Sequence, residues 1–441
     1  MINHMKTNNF LSKKQFGFLQ GRSTVLQLLT SLDKWVEKLD SGIKIDTIYI
    51  DFQKAFEKVP HKRLLPKLKS YGMAGEIEDW VGAFLTGRRQ QVMVNGKASS
   101  WADVTSGIPQ GSVIGPALLV IYINDLQDVV ENEVYLFADD TKIFCEISKV
   151  TDCQSLQNDL TKLQEWSTKW LLAFHPDKCK VLRLGTRVDE QFEYNLNHTP
   201  LNYTQAEKDL GVTIDSKLKF TQHIDEKVNK ANRIMGLVRR SFRYLDNDTF
   251  TKLYKALVRP HLEYAVSVWC PHLKKDIRKL ESVQRRATKQ INGLKDLSYD
   301  TRLKRLHLPT LVYRRLRGDM IEVYKMMNGV YDEEVSSFLP KHSDVAQNRS
   351  TRGHTKKLFK RHSKLDITKY SFGHRIINPW NSLTESIVSA PTLNTFKNRL
   401  DKYWNHINIK YDFEATLKLL YQTGIDQNAS IEVRSLPPKV S

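Results

Sequence analysis

Three patterns predict an α+β fold for this chain. A hydrophobic, isoleucine-rich run from Ile43 to Ile50 (IKIDTIYI) reads as a strand. Val134-Tyr135-Leu136 and Ile143-Phe144 flank a short polar segment, which reads as strand, tight turn, strand. Val25, Leu28, Leu29, Leu32 and Val36 recur instead with the period of a helix, as do Ile277, Leu280, Val283, Ala287 and Ile291. At 441 residues and 40% hydrophobic, the chain can build a large core or several domains.

The elements follow in order. The helical pattern of the first 42 residues gives way to the 43–50 strand, which delivers Asp51 at its C-terminal end, before a helical Phe52-Gln53-Lys54-Ala55-Phe56. Pro60 and Gly72 punctuate the next helices, and Gly87 with Asn95-Gly96 brackets a hairpin strand, Gln90 to Val94. A glycine- and proline-rich loop from Thr105 to Pro116 leads into an apolar helix, Ala117 to Leu126. After the 134–144 hairpin, residues 216 to about 300 read as basic helices and the remainder as a helical tail. Within that tail the polar stretch Lys341 to His362 is expected to be mobile, and Ser435 to Ser441, with two prolines, to fray.

The hairpin turn carries the most chemistry. In Phe137-Ala138-Asp139-Asp140 two carboxylates are adjacent, and like charges repel, so a fold that holds them together suits a cation. Mg²⁺ prefers carboxylate oxygens and substrate phosphates, and two such ions can clamp the attacking and leaving oxygens of a phosphoryl transfer. A solvated acidic turn is the plainer reading. Asp51, at a strand end, is equally a cation ligand or a helix N-cap. The glycines of the 105–116 loop allow a ligand close to the backbone, or simply connect to a core helix.

Asp51 with Phe52 to Phe56, then SGIPQGSVIGP, then FADD, in that order, resembles the palm motifs of reverse transcriptases, specifically the polymerase of LINE-type, jockey-like non-LTR retrotransposons. Gln15-Phe16-Gly17-Phe18 with Gly21-Arg22-Ser23, Trp170 to Phe174 with Lys178-Cys179-Lys180, and Lys208-Asp209-Leu210-Gly211-Val212 extend the resemblance. Tyr264 to Trp269, Leu280 to Ala287 and Asn378 to Leu383 carry it over nearly the whole chain.

The resemblance implies a right-hand polymerase with a ferredoxin-like palm (43–215), partial fingers (1–42), a helical thumb (216–300) and a helical C-terminal region (301–441). Asp51, Asp139 and Asp140 would hold two Mg²⁺ ions, or Mn²⁺, that activate the primer 3′-hydroxyl and bind the dNTP phosphates. Phe56 would crowd the sugar 2′-position, and Gln110 and Gly111 would line the nucleotide pocket. Phe56 reads equally as a core aromatic. Lys178 would protonate the leaving pyrophosphate, or stand solvated against phosphate. The implied partners are an RNA template, a DNA primer and dNTPs, in an intracellular ribonucleoprotein, nuclear or cytoplasmic.

Two departures bear on activity. The chain begins just before Gln15, so the upstream fingers residues that grip the triphosphate, and the family's endonuclease, have no counterpart. Glu57 and His175 stand where relatives commonly have Asp and Asn. The alternatives are therefore an inactive retrotransposon remnant that still binds nucleic acid, which the chain's start favours, and an intron-maturase-like RNA-binding factor. The three retained acids favour the polymerase, and the jockey-like tail argues against the maturase.

Charge agrees with a nucleic-acid partner. The balance is 68 − 49 = +19, and the excess concentrates between Lys227 and Arg317. Arg278, Lys279, Arg285, Arg286 and Lys289 fall largely off the apolar stripe of their helix, an electrostatic footprint for a phosphate backbone, to which Arg22 would add. Four cysteines (Cys145, Cys153, Cys179, Cys270) lack paired metal-ligand spacing, which leaves a zinc site unsupported and suits a reducing compartment. No apolar run reaches membrane-spanning length, and nothing in the pattern sets an oligomeric state.

Overall fold

The Ile43–Ile50 run forms β1 (Lys44–Ile50), the centre of a five-stranded sheet. In this computed structural model, which describes residues 1–185, 192–242, 246–345 and 353–415, the other strands are β2 (Glu133–Phe137), β3 (Asp140–Ile147), β4 (Lys180–Leu184) and β5 (Asn202–Thr204). Their order is β5–β4–β1–β3–β2, antiparallel except for the β5–β4 pair. Helices separate β1 from β2 and β3 from β4, so the first four strands have the β4–β1–β3–β2 order of a ferredoxin-like unit. The α+β expectation holds.

The described residues divide into two compact units, 1–27 with 41–210, and 28–40 with 211 onward. In the first, strand side chains alternate between two faces of the sheet. Ile48, Ile50, Leu136 and Ile143 point into a core closed by the helices Gly115–Tyr122 and Val150–Trp170, which contributes Leu156, Leu160 and Leu163. Asp46 shares the β1 face of Ile48 and is fully buried. The Arg183 guanidinium meets it with two bonds of 2.6 Å, and the Tyr194 hydroxyl donates to it at 2.9 Å. Thr47 and Tyr49 occupy the opposite face, where Thr47 is fully buried together with Ile45, Tyr135 and Phe144.

The expected hairpin after Gly87 is a ribbon of two short pairs, Arg89–Gln90 with Ala102–Asp103, and Met93–Val94 with Lys97–Ala98. Asn95 and Gly96 both take positive φ at its tip, the two-residue turn that Asn-Gly favours.

The second unit is helical. Thr221–Ser241 packs against Lys274–Thr288, and Leu311–Met327 against Leu393–Tyr403. Arg375 joins its helices through two bonds to Asp319, at 2.8 and 2.9 Å, and one to the Ser267 carbonyl at 2.7 Å. The Lys341–His362 stretch, expected to be mobile, is partly packed. His354 is buried with its ring on the Trp380 carbonyl, and Leu358 is buried while its backbone bonds Asn381. Residues 346–352 of that stretch, and the Ser435–Ser441 end, lie outside the described residues.

Candidate active site

Asp51 leaves the sheet at the end of β1, where Phe52 pairs with Phe174 in an isolated antiparallel bridge. His175 N–H donates to the Asp51 carbonyl at 2.8 Å and Gln53 N–H to the Ala173 carbonyl at 2.8 Å, so the backbone on both sides of Asp51 is held. Below it Phe52 packs on Phe174, ring centroids 4.7 Å apart, and edge-on to Trp166.

The paired acids reach the same place from the hairpin. Phe137 opposite Asp140 closes it, leaving Ala138 and Asp139 as a two-residue turn with φ +53° at Ala138. Ile50 lies opposite Thr141 in the β1–β3 register, and one further antiparallel step sets Asp51 against Asp140. Parity puts Asp51 and Tyr49, with Asp140 and Lys142, on the face of the sheet opposite Ile48 and Ile50. Acids 89 positions apart in sequence, Asp51 and Asp140, thereby become neighbours.

Their electrostatics record that proximity. Asp140 is pushed up to about 6, first by the protein bulk around it, then by the charges of Asp139, Asp209 and Asp51, with Lys142 opposing. Asp139 is also raised, by burial first and with Asp51 contributing, against a backbone hydrogen bond that lowers it. Asp51 Oδ2 is shielded from solvent and accepts no hydrogen bond; the Lys178 ammonium stands 3.1 Å away. Crowded carboxylates, one of whose oxygens is met only by an ammonium, suit a hard divalent cation. As the side chains stand they are not gathered into a ligand set: among the described residues no three His, Cys, Asp or Glu groups are placed to hold a metal ion. The donor chemistry fits such a cation; the ligating geometry is not formed.

Phe56 sits on the short helix Ala55–Lys58, half-buried against the core of this unit. The glycine loop is stitched to that helix. Ile108 N–H donates to the Phe56 carbonyl at 2.6 Å, Gly107 N–H to the Val59 carbonyl at 2.8 Å, and Arg88 Nη2 to the Gly107 carbonyl at 2.9 Å. Gly107 has φ +85°, and a Cβ there would fall 2.4 Å from the Glu57 carbonyl oxygen, so only glycine permits the contact. Gln110 and Gly111 follow, both exposed, ahead of a Ser112 hydroxyl that accepts the Gly115 N–H. The loop is thus brought beside the Phe56 backbone.

The basic candidates differ in what they touch. Arg22 does not project freely: its Nη1 donates to the carbonyls of Ser12 at 2.9 Å and Gln15 at 2.6 Å. On the Lys274–Thr288 helix, Leu280, Val283 and Ala287 are buried while Arg278, Arg285, Arg286 and, just beyond, Lys289 face solvent. Arg278 pairs with Glu414 at 3.2 Å, Lys279 with Asp225 at 2.6 Å, and Arg286 donates to Asn232 at 3.1 Å.

One pair has almost no sequence signature. Lys142 Nζ lies 2.5 Å from Asp209 Oδ2 with both side chains nearly solvent-free, and the Tyr49 hydroxyl donates to the same oxygen at 3.4 Å. A lysine directly before the buried Ile143-Phe144 is one signal; the partner, 67 positions on, stands in the Lys208–Val212 segment of the resemblance, but nothing local pairs the two.

Residues 1–245 match the family described as reverse transcriptase (RNA-dependent DNA polymerase). The chain is 28% identical over 382 residues to an RNA-directed DNA polymerase from mobile element jockey of Drosophila funebris, covering 81% of this chain and 40% of that protein. It is 26% identical over 320 residues to a probable RNA-directed DNA polymerase from transposon X-element of Drosophila melanogaster, 69% of this chain and 34% of the relative. A Pol polyprotein of the type-1 retrotransposable element R1 from Bradysia coprophila is 27% identical over 268 residues, 59% of this chain and 26% of its own. The chain spans less than half the length of each.

Proposed function

The chain belongs to the reverse transcriptase family, and on that premise we propose that its Asp51, Asp139 and Asp140 centre carries out RNA-directed DNA synthesis for a mobile element. The observation that carries the reading is the crowding of three carboxylates from two remote segments: Asp51 raises the proton affinity of both hairpin acids, and Asp139 raises that of Asp140. Those three side chains would hold two Mg²⁺ ions, or Mn²⁺, which when bound supply the Lewis acidity that favours the primer 3′-alkoxide and offsets charge on the triphosphate.

The chain's own groups do the rest. The primer 3′-hydroxyl gives its proton to solvent as its oxygen attacks the α-phosphorus of the dNTP, and the bond from that phosphorus to pyrophosphate breaks. Lys178, whose ammonium is 3.1 Å from Asp51, passes a proton to that leaving group. Phe56 closes the space a ribose 2′-hydroxyl needs, which selects deoxynucleotides, and the Gln110–Gly111 backbone lines the nucleotide pocket. The cations on the solvent face of the Lys274–Thr288 helix neutralise backbone phosphates of the template–primer duplex.

The test is extension of a DNA primer on an RNA template with Mg²⁺ at low salt. Wild-type protein is expected to extend, and Asp139→Asn to lose extension while still binding the duplex. Wild-type protein that binds the duplex but adds no nucleotide overturns the catalytic reading and leaves a nucleic-acid-binding remnant.

A further inference from the structure

The Ala138–Asp139 turn is an unlikely one to stand unaided. A two-residue hairpin turn with positive φ at its first position usually places glycine there, because a Cβ crowds the backbone in that conformation. Here an alanine occupies it at φ +53°.

Support comes from residues 12–22. Phe16 N–H donates to the Leu136 carbonyl at 2.7 Å and Leu136 N–H to the Lys14 carbonyl at 2.9 Å, so this stretch runs parallel along the free edge of β2. Gln15, 0% exposed, turns its side chain back toward the hairpin tip. Its Oε1 accepts two N–H groups at once, Ala138 at 2.9 Å and Gly17 at 2.7 Å. The approach is so close that a Cβ on residue 17 would lie 2.3 Å from the Ala138 nitrogen. The stretch is tied at both ends: Ser12 N–H donates to Asn124 at 2.9 Å, and Arg22 binds the Ser12 and Gln15 carbonyls.

The orientation of the amide has a cost. Gln15 Nε2 is buried without a hydrogen-bond partner, and an unsatisfied buried donor is unfavourable. Methionine would fill the same space without it. The glutamine is explained by its oxygen, which satisfies the one turn N–H that precedes Asp139.

We propose that Gln15 is a positioning residue for the reaction: it fixes the Ala138–Asp139 turn so that Asp139 and Asp140 stand where they can share a cation with Asp51. This rests on the polymerase reading above, and it assigns Arg22 to holding Gln15 rather than to nucleic acid.

The experiment uses the full chain and two readouts, Mn²⁺ affinity by electron paramagnetic resonance and primer-extension kinetics, with thermal melting as the folding control. Gln15→Met is expected to melt cooperatively, bind Mn²⁺ roughly tenfold more weakly, and lose roughly 10- to 100-fold in kcat with dNTP KM little changed, as a displaced reacting group would. Adding Ala138→Gly, which tolerates the turn without help, is expected to restore both. Gln15→Glu keeps an acceptor oxygen for both N–H groups and is expected to bind Mn²⁺ at least as tightly as wild type. A folded Gln15→Met with wild-type Mn²⁺ affinity overturns the proposal; if Gln15→Met does not fold, a folded Gln15→Glu decides, and its losing Mn²⁺ binding overturns it instead. Wild-type protein that binds Mn²⁺ without extending primers counts against the polymerase reading alone, and wild-type protein that binds no Mn²⁺ overturns both.

Discussion

Asp33 and Asp140 both hold a proton to about pH 6, for different reasons. At Asp140 neighbouring carboxylates reinforce the effect of surrounding protein. At Asp33 burial dominates, Glu37 adds to it and Arg361 opposes it, with Oδ1 packed where a Cβ on Gly373 would be 2.6 Å away. Because the folded value of Asp33 lies above its ordinary 3.8, the native state binds this proton more tightly than the unfolded chain. Its stabilising contribution is complete below pH 3.8 and lost as pH rises through 6. Asp33→Asn, neutral throughout, is therefore expected to raise stability at pH 8 by on the order of 2–3 kcal/mol and to leave it unchanged near pH 4. Urea denaturation at the two pH values measures it; an equal effect at both would assign the change to packing.

At the scale of elements, a buried charge specifies how strands meet. Asp46 sits mid-strand in β1 and is satisfied by Arg183 of β4 and by Tyr194. Arg183→Leu strands that carboxylate and is expected to cost about 3–5 kcal/mol, whereas Asp46→Leu with Arg183→Leu together should cost far less. Denaturant midpoints of the three proteins check this. The sequence made β1, the β2–β3 hairpin and the amphipathic 274–288 helix legible because each writes its pattern locally. Asp51 and the Asp139–Asp140 pair were legible as candidates because acids at strand ends are conspicuous. What was not legible depends on pairing between distant segments: the β2 edge taken by residues 14–16, the Lys142–Asp209 pair, and the close approach that requires glycine at 17. Local periodicity is silent on all three, since register is set only when the strands meet.

For the whole molecule, a net charge of +19 predicts that the proposed nucleic-acid binding depends on ionic strength. Binding of an RNA–DNA duplex is expected to fall linearly in log–log form with salt. Replacing Arg285, Arg286 and Lys289 by alanine is expected to flatten that slope by about one for each phosphate no longer neutralised. An unchanged slope would place the duplex elsewhere on the protein. The claim on which everything else depends is that Asp51 and the hairpin acids serve one cation centre. A double-mutant cycle on Mn²⁺ affinity addresses it most directly, using Asp51→Asn, Asp139→Asn and the pair. If the side chains share an ion, each single change weakens binding and the double change costs much less than the sum. Strictly additive losses, or an Asp51→Asn protein that binds Mn²⁺ like wild type, would contradict it.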